Sequence, residues 1–185
     1  RSLPNRTWIN ERLVFTHGYG LALGPVNQVT EEGLPVLFVK NLPPESSVDL
    51  EVNEPALYFS ELSSDYAIVR TQVPEFHYPK GDDNVFASYE GTGGLPVSGL
   101  WRRLLFAFRF RSFDILVSPN ITAQSRLMFR RRVSERVEAI APFLTYDKDP
   151  YLVVSEGQLY WIQDAYTVSS RYPYSTPAAD GISYI

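Results

Sequence analysis

Alternation of apolar and polar positions predicts β-structure through most of the first half of the chain. The clearest case is residues 48–52, where apolar side chains alternate with Asp49 and Glu51, as in a half-buried strand. Residues 56–62 and 66–73 predict two more strands, which residues 63–65 join as a hairpin. Shorter strand candidates are residues 13–16 and 34–40. Residues 74–97 carry no such pattern and predict a long irregular loop, a kind of segment that often has a function.

Helical spacing appears in the second half. Leu100, Leu104 and Phe108 are four residues apart and predict an amphipathic helix over residues 100–111, with Ser98 as its N-cap.

A second helix is predicted from Thr122, as the N-cap, to Ile140. Its apolar stripe is formed by Phe129, Val133, Val137 and Ile140, and Pro142 ends it. Arg131 and Glu135 are four residues apart, so we expect them to pair on its exposed side for about 0.2–0.5 kcal/mol.

The last pattern is a β-hairpin. Residues 151–154 and 158–168 are rich in Tyr, Val, Ile and Trp, and Glu156-Gly157 between them suits a tight turn. Strands, then helices, then strands indicate an α+β fold with a mainly antiparallel sheet and two consecutive helices in the second half. We treat residues 1–185 as a single domain, or as the N-terminal part of a larger one cut at its C-terminal end.

Composition narrows the possible functions. The 185-residue chain is 44% hydrophobic, which is enough for a core, and its net charge of −4 argues against general nucleic-acid binding. It has no cysteine, which excludes disulfides, thiolate nucleophiles and cysteine-based metal sites. No stretch approaches the roughly 20 apolar residues of a membrane-spanning helix.

Candidate chemistry begins with the two histidines. His17 begins a turn that contains two glycines and Tyr19, and His77 lies sixty residues further on. A zinc site needs three or four ligands, so the pair matters only if the fold brings it together with other ligands. Asp82 and Asp83 form an acidic loop that offers oxygen ligands, or simply a solvated turn.

Two arginine clusters and one aromatic cluster complete the candidates. Arg102-Arg103 and residues 130–132 lie on predicted helices, so they are either charged helix faces or a site for an anionic headgroup. Residues 91–94 are glycine-rich without a phosphate-loop ending, which favours a linker. Tyr166, Arg171 and Tyr172 follow the hairpin as a binding platform or as packed turn residues.

Several longer stretches resemble an uncharacterised family of large multi-pass bacterial membrane proteins, number 0182 of the UPF series. The resemblance covers nearly the whole chain and is specific in combination. The matching stretches are residues 7–12, 16–20, 25–27, 33–36, 58–59, 102–107, 140–144, 149–151, 159–162 and 171–175.

The resemblance implies a block of membrane helices preceding this region and a large domain outside the cytoplasm, of which this chain is the first part. Its expected partners are therefore its own membrane-spanning region, the rest of that extracytoplasmic domain and possible further envelope components. The family supplies no established activity, catalytic residue or cofactor, so none is predicted here.

Three hypotheses follow. The first is a non-catalytic extracytoplasmic domain that acts as a binding or interaction module in the cell envelope. The second is an envelope enzyme, such as a metal-assisted hydrolase, which requires His17, His77, Asp82 and Asp83 to converge in one cleft. The third is a structural domain that packs on the remainder of its protein, which large exposed apolar patches would favour.

Overall fold

The computed structural model describes residues 6–168 and the backbone of residues 176–177 and 183–184. The first half begins with a π-helical turn at Asn10–Val14. Its strands are β1 (Gly18–Tyr19), β2 (Val39–Lys40), β3 (Glu45–Ser46), β4 (Ala56–Leu57), β5 (Tyr66–Val69), β6 (Glu75–Lys80), β7 (Asp83–Ala87) and β8 (Leu95–Pro96).

The second half mixes helices with further short strands. Its elements are α1 (Leu100–Phe110), α2 (Asp114–Val117), β9 (Arg126–Phe129), α3 (Val133–Ile140), β10 (Thr145–Tyr146), β11 (Tyr151–Ser155), β12 (Gln158–Ile162), β13 (Ala165–Tyr166), β14 (Thr176–Pro177) and β15 (Ser183–Tyr184). Every strand pair among these elements is antiparallel. The predicted α+β class is therefore confirmed, although the strands form several small sheets.

The core lies on the three-stranded sheet β5-β9-β8. All four residues of β5 are buried, and it pairs with β9 in the register Tyr66↔Phe129 to Val69↔Arg126. The buried cluster on this sheet consists of Leu13, Tyr66, Ile68, Val97, Ile115, Ile121 and Leu127. The remaining sheets have two strands each, so side-chain interactions must hold much of the chain together.

The predicted second helix is correct only at its end. Residues 126–129 form β9, and α3 begins at Val133. Leu127 and Met128 are neighbours and both are buried, so this strand has a buried side chain on each face. A short apolar run of this kind fits a helix or a strand buried on both faces equally well. The apolar spacing therefore predicted a helix where the chain forms β9.

Strand predictions in the first half need similar corrections. Residues 13–16 overlap the π-helical turn, and residues 48–52 form no strand. The hairpin predicted across residues 63–65 is wrong, because β4 pairs with β1 while β5 pairs with β9. The supposed loop of residues 74–97 contains the hairpin β6–β7.

Two arginines order the glycine-rich segment before α1. The Arg70 guanidinium donates to the carbonyl oxygens of residues 89, 90 and 91 at 2.8–3.1 Å. The Arg126 guanidinium donates to those of residues 92, 93 and 94 at 2.7–2.8 Å. Six successive carbonyls are thus satisfied by side chains, which fixes a segment without regular secondary structure.

The terminal hairpin is as predicted in its position and turn. β11 and β12 pair from Tyr151↔Ile162 to Ser155↔Gln158. Glu156 (φ 51°) and Gly157 (φ 76°) both take the positive φ of a type I′ turn, whose twist matches that of the strands. The second arm is shorter than expected, because β12 ends at Ile162 and β13 pairs with β10.

Candidate functional site

A buried carboxylate lies at the start of β6. Glu75 is only 1% exposed and accepts four hydrogen bonds. The Thr16 and Tyr58 hydroxyls donate to Oε2 at 2.5 and 3.1 Å, and the backbone N–H groups of Arg70 and Tyr89 donate to Oε1 at 3.3 and 3.2 Å. Burial alone would raise the pKa of Glu75, but these bonds and His17 lower it below its ordinary value.

A buried guanidinium lies close to this carboxylate. Arg131 is 3% exposed. Its Nε donates to the Tyr58 carbonyl at 2.9 Å, one Nη to Ser64 Oγ at 2.7 Å, and the other Nη to the Thr16 carbonyl. Burial, together with the nearby Arg12 charge, lowers the pKa of Arg131 to about 10, so it remains charged at neutral pH.

Thr16 and Tyr58 each contact both buried charges. Each residue gives its carbonyl oxygen to Arg131 and its hydroxyl proton to Glu75. Burial and the Glu75 charge both raise the pKa of Tyr58, so its hydroxyl keeps the proton that it donates. The cation and the carboxylate are therefore coupled through two residues from separate segments of the chain. We call these four residues the buried ion network.

The expected pairing of Arg131 with Glu135 is wrong. Residues 130–132 are exposed, buried and exposed in turn. They form a non-helical link between β9 and α3 that begins with a left-handed residue, Arg130 (φ 49°). Arg131 therefore points inward, and Glu135 pairs with the exposed Arg132 at 3.0 Å. Within this arginine cluster, the interpretation as a charged helix face fails for the central residue.

The two histidines extend the network toward the surface. The single Thr16 hydroxyl proton is donated to Glu75, so Thr16 Oγ1 accepts from His17 Nδ1 at 2.9 Å. His17 Nε2 then accepts from His77 Nδ1 at 3.0 Å. This order leaves His77 Nε2 as an acceptor without a hydrogen-bond partner among the residues that the structure describes.

A β-bulge sets the position of His77. Phe76 pairs with Phe86 and Tyr78 pairs with Val85, so His77 is the extra residue between them. The Tyr19 ring lies 4.2 Å from the imidazole and stacks on Tyr78 at 4.6 Å. Burial and the neighbouring His17 lower the pKa of His77, which keeps the imidazole neutral near pH 7. Burial, then Tyr78 and Glu54, raise the pKa of Tyr19.

The fold thus brings His17, Tyr19 and His77 together but leaves the acidic loop apart. Asp82 lies in the β6–β7 turn and Asp83 begins β7, and both are exposed. β6 continues for three residues from His77 to Lys80, which pairs with Asp83, so roughly 10 Å of strand separates this turn from His77. Within residues 6–168, no three His, Asp or Glu side chains are placed to hold a metal ion, so the convergence that a metal-assisted hydrolase would require does not occur among them.

The remaining candidates have structural positions or lie outside the described residues. Arg103 donates to the Ser118 and Ile121 carbonyls at 3.4 and 2.6 Å and ties α1 to the loop after α2. Arg102 is exposed on α1, and Tyr166 lies in β13, paired with Thr145. Arg171 and Tyr172 lie outside the residues that the structure describes.

A second feature is the exposed apolar face of α1. Trp101 is 78% exposed and Phe108 is 86% exposed, and Leu100, Leu104 and Leu105 lie beside them. Phe113 and Val117, at the start and end of α2, are also exposed. The opposite side of α1 packs on the core through Phe106, Ala107 and Phe110. None of the residues in α1 is fully buried. Exposed apolar patches of this kind mark interaction surfaces.

Comparison with known proteins decides the family. The model of the uncharacterised protein family UPF0182 matches residues 1–185. The chain belongs to UPF0182. No solved structure matches it.

Curated UPF0182 proteins are much longer than this chain. The chain is 53% identical to one from Pelobacter propionicus over 99% of its own length and 21% of the relative. For Pelotomaculum thermopropionicum the identity is 49%, over 97% and 20%. For Geobacter sulfurreducens it is 52%, over 99% and 21%. The chain therefore spans about a fifth of the curated UPF0182 proteins it matches. None of the helices in its described residues is long and apolar enough to cross a membrane.

Replacing Arg131 tests the buried ion network of this UPF0182 chain. We expect Arg131→Met to lower the free energy of unfolding by about 3–5 kcal/mol, because it leaves Glu75 as an uncompensated buried charge. The neighbouring exposed Arg130→Met, which removes the same charge, should change it by no more than about 0.5 kcal/mol. Urea unfolding of both variants measures the difference. Equal effects at the two positions would contradict a special role for Arg131.

Acidification should destabilise the chain in two steps. Folded His77 resists a proton that the unfolded chain takes up below about pH 6.5, so the free energy of unfolding falls as the pH drops below that value. Glu75 adds a second fall below about pH 4.3, because its pKa is also lowered by folding.

The variant His77→Asn separates these steps, since the Asn amide N–H can still donate to His17. It should lose the first fall and retain the second when urea unfolding is measured from pH 7.5 to pH 3.5. A first step that persists in this variant, or a stability that rises on mild acidification, would refute the assignment.

Proposed function

We propose that this chain is a non-catalytic, extracytoplasmic interaction domain of a multi-pass membrane protein, and that the apolar face of α1 rests on the membrane surface. The observation that carries the proposal is the exposure of Leu100, Trp101, Leu104, Leu105 and Phe108 on one helix. The resemblance to multi-pass membrane proteins supports the location. On this proposal, the expected partner, the protein's own membrane-spanning region, lies in the same bilayer.

The geometry of α1 suits the plane of a bilayer interface. At 100° per residue, the five exposed apolar positions cover an arc of about 140°, and Arg102 and Arg109 border it. Such a helix buries its apolar side chains at the boundary between headgroups and acyl chains, with Trp at the interface. The arginine stems can follow the apolar surface while their guanidinium groups reach lipid phosphates.

Charge favours an anionic bilayer over a protein partner as the cover for this face. The only ionisable residues of α1 are Arg102, Arg103 and Arg109, and Arg111 follows at its end. The chain as a whole has a net charge of −4, so this positive region is local. Anionic lipids attract each basic residue near the surface by about 1 kcal/mol, and burying each exposed Leu or Phe contributes about 1.5–3 kcal/mol. A further part of the longer UPF0182 polypeptide is the competing occupant.

Vesicle binding tests the proposal. We expect the chain to bind vesicles of equal parts phosphatidylglycerol and phosphatidylcholine, with a blue shift of Trp101 fluorescence. Pure phosphatidylcholine should bind it more weakly, because the arginines then lack anionic partners. The double variant Leu105→Glu/Phe108→Glu should lose at least about tenfold in partition coefficient, since two inserted side chains are replaced by charges.

A matched control separates this face from general surface hydrophobicity. Val26 and Leu62 are fully exposed elsewhere, so Val26→Glu/Leu62→Glu makes the same chemical change and should bind as the unmodified chain does. Co-sedimentation of the three proteins measures binding, and circular dichroism checks their folding. Equal losses in both double variants, or no vesicle binding, would sink the proposal. Self-association abolished by the α1 variant would assign the face to a second copy instead.

A further inference from the structure

A pocket of about 550 Å³ borders the buried ion network on the side of the π-helical turn. Three arginines line it, namely Arg6, Arg12 and the buried Arg131, together with three serine hydroxyls from residues 60–64. Glu11 is the single acidic residue in its wall. This volume lies within the range of small-molecule sites and exceeds what an inorganic anion fills.

The Arg12 guanidinium has N–H donors that its contacts within the described residues do not use. Its Nη1 binds the Asp65 carboxylate and the Tyr66 carbonyl, and its guanidinium lies over the Tyr66 ring at 4.1 Å. The side chain is only 19% exposed, so these contacts fix its orientation. Its Nε and Nη2 make no hydrogen bond to any residue in the described part of the chain. These N–H groups form the kind of fork that matches a phosphate or carboxylate.

The serine hydroxyls add neutral donors. Ser60 Oγ and Ser63 Oγ share one hydrogen bond at 2.9 Å, which uses one of their two protons and leaves the other for a ligand. Ser64 is occupied, because it accepts from Arg131 and donates to the Tyr66 carbonyl. The pocket therefore offers a planar cation and a hydroxyl donor without disturbing the buried network.

The electrostatics of the pocket also favour the binding of an anion. Arg12 and Arg131 are close enough that the Arg12 charge disfavours the Arg131 charge, after burial the largest cause of its lowered pKa. Glu11 is engaged by Arg6 at 3.3 Å, and Asp65, which is 60% exposed, pairs with Arg12 through Nη1 alone and so neutralises that guanidinium only in part. Glu75 is held by its own four hydrogen bonds. An anion between the two guanidinium groups would relieve their repulsion.

We propose that this pocket binds the phosphate group of a small organic ligand, with Arg12 and the Ser60–Ser63 hydroxyl pair as its donors and Arg131 as a fixed charge behind them. The site is independent of the proposed bilayer contact of α1. A free phosphorylated metabolite and a phospholipid headgroup share this chemistry. The size of the pocket indicates a phosphoryl group with organic substituents, so we expect glycerol 3-phosphate to bind more tightly than inorganic phosphate.

Calorimetric titration of the chain with inorganic phosphate, glycerol 3-phosphate and acetate, at constant ionic strength, tests the site. Both phosphates should bind and acetate should bind at least about fivefold more weakly, because it presents fewer oxygens and less charge. Arg12→Lys should weaken phosphate binding by about tenfold, since an ammonium lacks the fork. Lys80→Ala removes one positive charge at the exposed end of the β6–β7 hairpin and should leave affinity unchanged.

A variant that gains affinity excludes misfolding as the cause of the changes, because a misfolded chain would not bind phosphate more tightly. Asp65→Asn removes the carboxylate that competes for Arg12, so it should tighten phosphate binding about threefold or more. A loss in Lys80→Ala without one in Arg12→Lys, which keeps its charge, would mean that only net charge matters and would overturn the site. No heat with either phosphate, or an unchanged affinity in Asp65→Asn, would also overturn it. Binding of short-chain phosphatidylglycerol in preference to glycerol 3-phosphate would confirm the site and identify a lipid headgroup as the source.

Discussion

The coupling of two buried charges through two shared residues is the constraint on which the rest of this structure depends. Arg131 precedes α3, Glu75 begins β6, and Thr16 and Tyr58 come from segments next to β1 and β4. Apart from the core sheet, the sheets have only two strands, and such pairs are marginal by themselves. The network supplies the long-range connections that a larger sheet would otherwise provide. Its cost is two desolvated charges, which is tolerable because almost every polar atom is satisfied.

The same residues determine the chemistry beside the network. Thr16 fixes the hydrogen-bond order of His17 and His77, and this order leaves a neutral imidazole acceptor on the partly exposed His77. Arg131 and His17 both line the arginine pocket, so this pocket adjoins the histidine pair. The α1 face is separate from both, since its exposed side chains point away from the core to which Phe106 and Phe110 are anchored. The proposed bilayer contact and the proposed phosphate site can therefore be tested independently.

Local patterns predicted the parts of the fold that local chemistry determines. The terminal hairpin and α1 follow from turn residues and from spacing, and both are present. The α+β class and the UPF0182 resemblance are likewise confirmed. Strand partners were not predictable. β5 pairs with β9 across some sixty residues, and nothing in the sequence of either strand identifies its partner. Ser98 was expected to cap α1, but Gly99 occupies that position without a side-chain bond.

The candidate site shows the same division. The histidines were candidates because the chain has only two of them. The fold joins His17 Nε2 to His77 Nδ1 at 3.0 Å. Glu75, Thr16 and Tyr58 carried no signal, because a buried polar residue looks like a surface one until its partners are known. Arg131 stood out only as the middle of three arginines, and its inward position follows a left-handed residue, Arg130 (φ 49°), at the end of β9. The helical interpretation of residues 122–132 concealed it.

The most direct test of this account is a double-mutant cycle between Arg131 and Glu75 by urea unfolding, with Arg131→Met, Glu75→Gln and the double variant. Residues coupled through shared partners show interaction energies of about 0.5–3 kcal/mol. The account predicts that the double variant is less destabilised than the sum of the single variants by at least about 1 kcal/mol, because each single variant leaves the other charge buried alone. Additive effects would show that the two charges act separately, and would contradict the network.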